Sequence, residues 1–121
     1  MSTILVVDDE YGICDILAMA MEDAGYQVEK ANNGAKALEV LEKTRVELLI
    51  TDYMMPVMNG EVLARTLRAD PRFKALPIIL MSGAQGDIAR KAELFDGVLD
   101  KPFVAEKVIA MVRTLVQPPV E

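Results

Sequence analysis

Ile4-Leu5-Val6-Val7-Asp8-Asp9-Glu10 is the stretch that decides the fold of this chain. Its four apolar residues form an unbroken run, too short for a helix, of the kind that builds a strand covered on both faces. The run then breaks abruptly into acids. The same form returns twice: Leu48-Leu49-Ile50 leads to Asp52, and Ile78-Ile79-Leu80-Met81 leads to Ser82. Two weaker strands are expected at Gln27 to Ala31 and around Val98 to Leu99.

Between these runs the apolar period changes from continuous to helical. Ile13, Ile16, Leu17, Ala20, Met21 and Ala24 recur at helical spacing, and Gly25 stands where a left-handed cap ends a helix. A second helix follows Asn32 and Asn33, with Ala37, Leu38 and Leu41 inward and Gly34 weakening its first turn. Asn59 is positioned to cap a third helix carrying Val62, Leu63, Thr66 and Leu67 on one face and stopped by Asp70 and Pro71. A fourth is expected at about residues 87–95. A last helix has Val104, Val108, Met111, Val112 and Leu115 on one side and ends before Pro118 and Pro119.

Strands and helices in strict alternation predict an α/β fold, a doubly wound five-stranded parallel sheet with helices on both faces and right-handed crossovers. The chain of 121 residues, 52% hydrophobic and 26% charged, has the balance of one globular domain spanning residues 1–121. No linker or repeat interrupts it, and Gln117 to Glu121 reads equally as a tail or as part of a linker.

Composition also removes whole classes of function. The net charge of −6 argues against direct nucleic-acid binding, which needs clustered Lys and Arg. No apolar run approaches the roughly 20 residues of a membrane span or the core of a signal peptide, so a cytoplasmic chain with no membrane contact is expected. With no histidine and one cysteine, an internal disulfide, a histidine-based triad and the usual zinc and copper sites are excluded. Cys14 lies in the first helix among apolar neighbours and is read as a packing residue. Met54, Met55 and Met58 crowd one loop, but thioethers select Cu(I), so packing or a contact surface is their expected use.

Ligands of open parallel sheets bind beyond the carboxyl ends of the strands, where the strand order reverses. Asp8, Asp9, Asp52, Ser82 and Lys101 all follow strands and therefore converge on that rim. Each has a simple alternative use as a cap, turn residue or solvated charge. Together they describe chemistry. Three clustered carboxylates repel one another and are relieved by a hard cation such as Mg²⁺. A carboxylate held on that cation can attack phosphorus to form an acyl phosphate, with Lys101 as balancing charge and the Ser82 hydroxyl as donor to a phosphoryl oxygen.

With those residues in place, the chain resembles the receiver domain of two-component response regulators, of the single-domain type seen in chemotaxis regulators, over nearly its whole length. The likeness is carried by residues 4–10, by Thr51-Asp52-Tyr53-Met54-Met55-Pro56-Val57-Met58-Asn59-Gly60, by Ile78 to Ser82 and by Asp100-Lys101-Pro102-Phe103. The resemblance implies a flavodoxin-like sheet of order 2-1-3-4-5. It implies Mg²⁺ held directly by Asp9, Asp52 and the Met54 carbonyl, and by Asp8 through water. It further implies phosphorylation of Asp52 by a histidine of a sensor kinase or phosphotransfer protein, contacts from Ser82 and Lys101 to the phosphoryl group, and a cis Lys101–Pro102 bond. The expected function is a switch that changes affinity for a downstream protein and assists its own phosphorylation and dephosphorylation without being an enzyme on other substrates.

Two rival functions stay open at this stage, a degenerate receiver that only binds proteins and a cation-dependent phosphatase with an aspartyl nucleophile. Three positions depart from the family. Val98 stands where an aromatic switch residue is usual. Ser82 and Lys101 are separated by 19 positions, shorter than usual, so the fourth helix is expected to be short or displaced. Val104 replaces the polar cap of the last helix, whose start is therefore expected to fray. Met54, beside Asp52, and Ala84, two residues after Ser82, offer no group to orient an attacking water, which predicts slow or partner-dependent dephosphorylation.

Overall fold

Every residue of β1 (Thr3–Val7) and of β3 (Leu48–Asp52) is buried, as the unbroken apolar runs require. The computed structural model describes residues 2–53, 55, 58–82, 94–100 and 104–116. β2 is Gln27–Ala31, β4 Ile78–Ser82 and β5 Gly97–Asp100. The five strands form a sheet of order β2-β1-β3-β4-β5 in which every pairing is parallel. The order reverses between β1 and β3, at the ends of which Asp8 and Asp52 lie.

Alternation along each strand divides the interior into two layers. Leu5, Val7 and Leu49 face a core completed by Ala37, Leu41, Leu63, Ala64 and Leu67. Ile4, Val6, Leu48 and Ile50 face the other side, with Cys14, Leu17, Met21, Val108 and Val112. Burying each large aliphatic side chain contributes about 1.5–3 kcal/mol, so the sheet is held from both faces. The helices are α1 (Tyr11–Asp23), α2 (Gly34–Lys43), α3 (Gly60–Arg68) and, last among the described residues, α4 (Ala105–Leu115). α1 and α4 cover one face, α2 and α3 the other.

Helix ends follow local chemistry. Asn33 Oδ1 accepts the Lys36 amide at 2.8 Å and Asn59 Oδ1 the Val62 amide at 2.9 Å, each satisfying a first-turn donor. α1 ends at Gly25, whose φ of 101° lies in the left-handed region. Its amide donates to Glu22 O at 3.0 Å, and the Tyr26 amide donates to Met21 O at 3.0 Å. This paired return is closed by Tyr26 and Met21 within the same apolar core.

The inward faces differ from the expected ones at several positions. On α1 the buried set is Cys14, Leu17, Ala18 and Met21, and Ile16 is 65% exposed. One residue turns a helix by about 100°, so Ile16 cannot share the sheet-facing line that Leu17 occupies. On α3 the inward set is Gly60, Leu63, Ala64 and Leu67; Val62 and Thr66 face outward, and Thr66 Oγ1 donates back to Val62 O at 2.9 Å. Val104 precedes the first turn of α4 in an extended conformation, so it lies off the helix face and is exposed. The expected fourth helix falls mostly outside the described residues. Its expected last residues, Leu94 and Phe95, are not helical; they lie in a turn and an irregular segment, and both plug the core beside α3.

Candidate functional site

Asp8 follows β1 directly, and its amide extends the ladder by donating to Ala31 O at 3.1 Å. Its side chain is fully buried, and Oδ1 accepts the Glu10 amide at 2.9 Å. The residue at the cap position of α1 is Glu10, so the acid pair is not explained as a helix cap. Asp9, next in the chain, is exposed. Asp52 closes β3 and is 5% exposed. One carboxylate oxygen from each of Asp8, Asp9 and Asp52 lies within 4.8 Å of the others.

At that separation, two unit charges repel by about 3 kcal/mol at an effective dielectric constant near 20. Two of the three carboxylates are buried, which raises the cost of leaving them uncompensated. An all-oxygen, all-anionic donor set with one member open to solvent suits a hard divalent cation that keeps part of its water, and Mg²⁺ fits this description. The residues present therefore fit the expected ion.

The backbone around Asp52 is closely held. Tyr53 N donates to Met81 O at 3.0 Å, Gly60 N donates to Tyr53 O at 2.9 Å, and Thr51 Oγ1 donates to Asp52 O at 3.0 Å. Across the site, Cys14 Sγ donates to Asp8 O at 3.5 Å. Burial, followed by the negative charge of Asp8, pushes this thiol up to about 11, so at neutral pH it is a protonated packing group.

Of the residues expected at the site, Asp8, Asp9 and Asp52 are brought together. β4 carries the Ser82 backbone toward the same rim, in register with Asp100. The Ser82 hydroxyl, Met54, Lys101 and the Lys101–Pro102 bond lie outside what is described, as does Ala84. Val98 pairs with Leu80 and packs partly buried against the core on the α2–α3 side. Sequence reasoning passed over Thr51 and Gly60 as site residues. The signal available was position: one precedes Asp52, and the other follows the helix cap Asn59 at the end of the loop.

Comparison with known proteins agrees with this geometry. The family model described as the response regulator receiver domain matches residues 4–113. The DNA-binding dual master transcriptional regulator RpaA of Synechocystis is 33% identical over 121 residues, covering 97% of this chain and 50% of the relative. The chain spans about half the length of the curated relatives it matches. Among solved structures, the chemotaxis response regulator CheY4 of Vibrio cholerae superposes with a TM-score of 0.87 at 31% identity, covering 96% of this chain and 99% of that one. The response regulator TrrA of Thermotoga maritima, solved in complex with Mg²⁺ and BeF, gives a TM-score of 0.85 at 30% identity, covering 96% and 100%. Sheet order, acid cluster and matched length converge on one assignment: the chain belongs to the response regulator receiver domain family.

Proposed function

We propose that residues 1–121 act as one phosphorylation-dependent switch of a two-component system, with Asp52 as the phosphoacceptor. The observation that carries this reading is the convergence of three carboxylates within 4.8 Å at the carboxyl ends of β1 and β3, in a chain of the receiver family. Asp9, Asp52 and the Met54 carbonyl would hold Mg²⁺, with Asp8 acting through water. When bound, the ion neutralises charge on the transferring phosphoryl oxygens.

The chain's own part is positional. Asp52 presents a carboxylate oxygen to the phosphorus of a phosphohistidine on a sensor kinase or phosphotransfer protein. The new O–P bond forms as the P–N bond breaks, and the departing imidazole keeps the electron pair and takes up a proton. Lys101 and the Ser82 hydroxyl contact the transferred group. The acyl phosphate at Asp52 then alters affinity for a downstream protein. The same residues assist hydrolysis of that bond, which is slow without a partner because Met54 and Ala84 bring no water-orienting group. Direct nucleic-acid binding and membrane contact are not part of this reading. The described helices contain none long and apolar enough to cross a membrane, and the working compartment proposed is the cytoplasm.

Incubation of the chain with Mg²⁺ and acetyl phosphate, followed by intact mass measurement, tests this. A single phosphoryl adduct in the native chain that is lost in Asp52→Asn is expected. Absence of the adduct in the native chain would make this a protein-binding module instead, and continuous release of phosphate at many turnovers would make it a phosphatase.

A further inference from the structure

We infer that Gly60 and Thr51 are positioning residues for Asp52: together they fix the peptide that follows the phosphoacceptor and so set where its carboxylate stands relative to Asp8 and Asp9. The inference rests on the reading of Asp52 given above.

The observation is one of space. A Cβ built on Gly60 would lie 2.5 Å from the backbone oxygen of Asp52, 3.0 Å from Leu80 Cδ1 and 3.1 Å from Tyr53 Cα. The first and third of these are backbone atoms, which cannot swing aside as the end of a side chain can. Any residue larger than glycine must therefore push the start of α3 away from the Asp52–Tyr53 peptide, or push that peptide away from α3. Holding α3 in place are the buried Leu63, Ala64 and Leu67 and the Asn59 cap. The peptide has its own restraint, the hydrogen bond from Tyr53 N to Met81 O at 3.0 Å. Neither side yields freely, and the displacement falls on the residue between them.

Thr51 acts on the same carbonyl through its side chain. It is fully buried, and its Oγ1 donates to Asp52 O at 3.0 Å, while Gly60 N holds the following carbonyl, Tyr53 O, at 2.9 Å. The carbonyl of Asp52 thus has a hydroxyl donor bonded to it and a bare Cα packed against it. Both fix its direction. The carboxylate hangs from the same Cα, so a rotation of this peptide changes the separation of the three acid oxygens. Groups that hold ligands in place in this way are typically worth about 10–100-fold in metal affinity or activity.

Gly97 supplies the control. A Cβ there would meet Met111 Sδ at 2.7 Å, the flexible end of a side chain, and Gly97 opens β5 at the end of the strand away from the acid rim. The variants are Gly60→Ala, Gly97→Ala, Thr51→Val, which keeps the shape and removes the hydroxyl, and Thr51→Ser, which restores it. Mg²⁺ affinity by calorimetry and the rate of phosphorylation by acetyl phosphate are read beside stability in urea. Gly60→Ala and Thr51→Val are expected to weaken Mg²⁺ binding and slow phosphorylation by about tenfold or more. Gly97→Ala and Thr51→Ser are expected to stay within about twofold of the native chain. Native affinity in a folded Gly60→Ala, or equal losses in Gly97→Ala, overturns the inference. If Gly60→Ala does not fold, the Thr51 pair decides, and equal affinity of Thr51→Val and Thr51→Ser overturns it. A native chain that binds Mg²⁺ yet takes no phosphoryl group defeats the phosphoacceptor reading, while the Mg²⁺ arm still judges the positioning.

Discussion

Arg68 and Asp96, far apart in sequence, meet in a 3.0 Å ion pair at the amino-terminal edge of the sheet. The Asp96 oxygen that takes part also accepts the Ile78 amide at 2.8 Å. The Arg68 guanidinium additionally donates to the carbonyls of Lys74, Leu76 and Leu94 at 3.0, 2.6 and 2.9 Å. One cation thus ties the end of α3 to the start of β4 and to the approach to β5.

Replacing Arg68 by Met leaves three carbonyls and a carboxylate to find water, and is expected to lower stability by about 2 kcal/mol. Asp96→Asn keeps an acceptor for Ile78 and should cost about half as much. Urea denaturation measures both. Mg²⁺ affinity should be unchanged in each, since this hub is at the opposite end of the strands from the acids.

Asp52→Asn removes one charge from a cluster whose members repel. In chelator, the variant is expected to be more stable than the native chain by about 1 kcal/mol. Added Mg²⁺ at about a hundred times its dissociation constant should stabilise the native chain by ~2.7 kcal/mol and the variant by much less. Asp9→Asn should lose Mg²⁺ affinity with little gain in chelator, because Asp9 already faces water.

Cys14 gives a pH signature. Its folded thiol titrates at about 11 against 9.0 for an ordinary cysteine. Above the lower value the unfolded chain loses its proton first, so stability is full below pH 9.0 and falls as the pH approaches 11. Cys14→Ala should show a shallower decline over that window in denaturation curves. The native thiol should react with iodoacetamide only as fast as the chain opens.

Gly25→Ala forces a side chain into the left-handed region and should cost about 1–2 kcal/mol, read as a fall in Tm. Since Tyr26 stays in the core, the fold and the Mg²⁺ site are expected to be retained.

Arg72 bonds Glu42 at 2.7 Å and Asp70 at 2.8 Å and holds both carboxyls below their ordinary values through those hydrogen bonds. Such groups favour the folded state above their unfolded pKa and lose that contribution on acidification. Arg72→Met should raise both pKa values in an NMR titration. Overall stability should change little, since the pairs are exposed.

The strands, the acids and the helix caps were legible because each is written locally. An unbroken apolar run such as Ile4 to Val7 admits one reading, and Asn33, Asn59 and Gly25 act within a turn of their own positions. Which way a helix faces is less local. Ile16 and Val62 are apolar residues near the inward stripe, and only the position of the sheet decides that they stay outside, whereas Val104 is left outside because the helix begins one residue after it. The Arg68 hub and the closeness of Gly60 to Asp52 depend on segments that meet only in the folded chain, and no spacing announces them.

β2 lies at one margin of the sheet, and only its last residue, Ala31, is buried. Glu29 and Lys30 are both exposed there, and Lys30 reaches Asp15 at 2.9 Å. A second strand seeking to add itself at this margin would have to strip water from charges of both signs. The β2 margin is thereby guarded against the addition of a sixth strand by its own charges, not by a covering segment among the described residues.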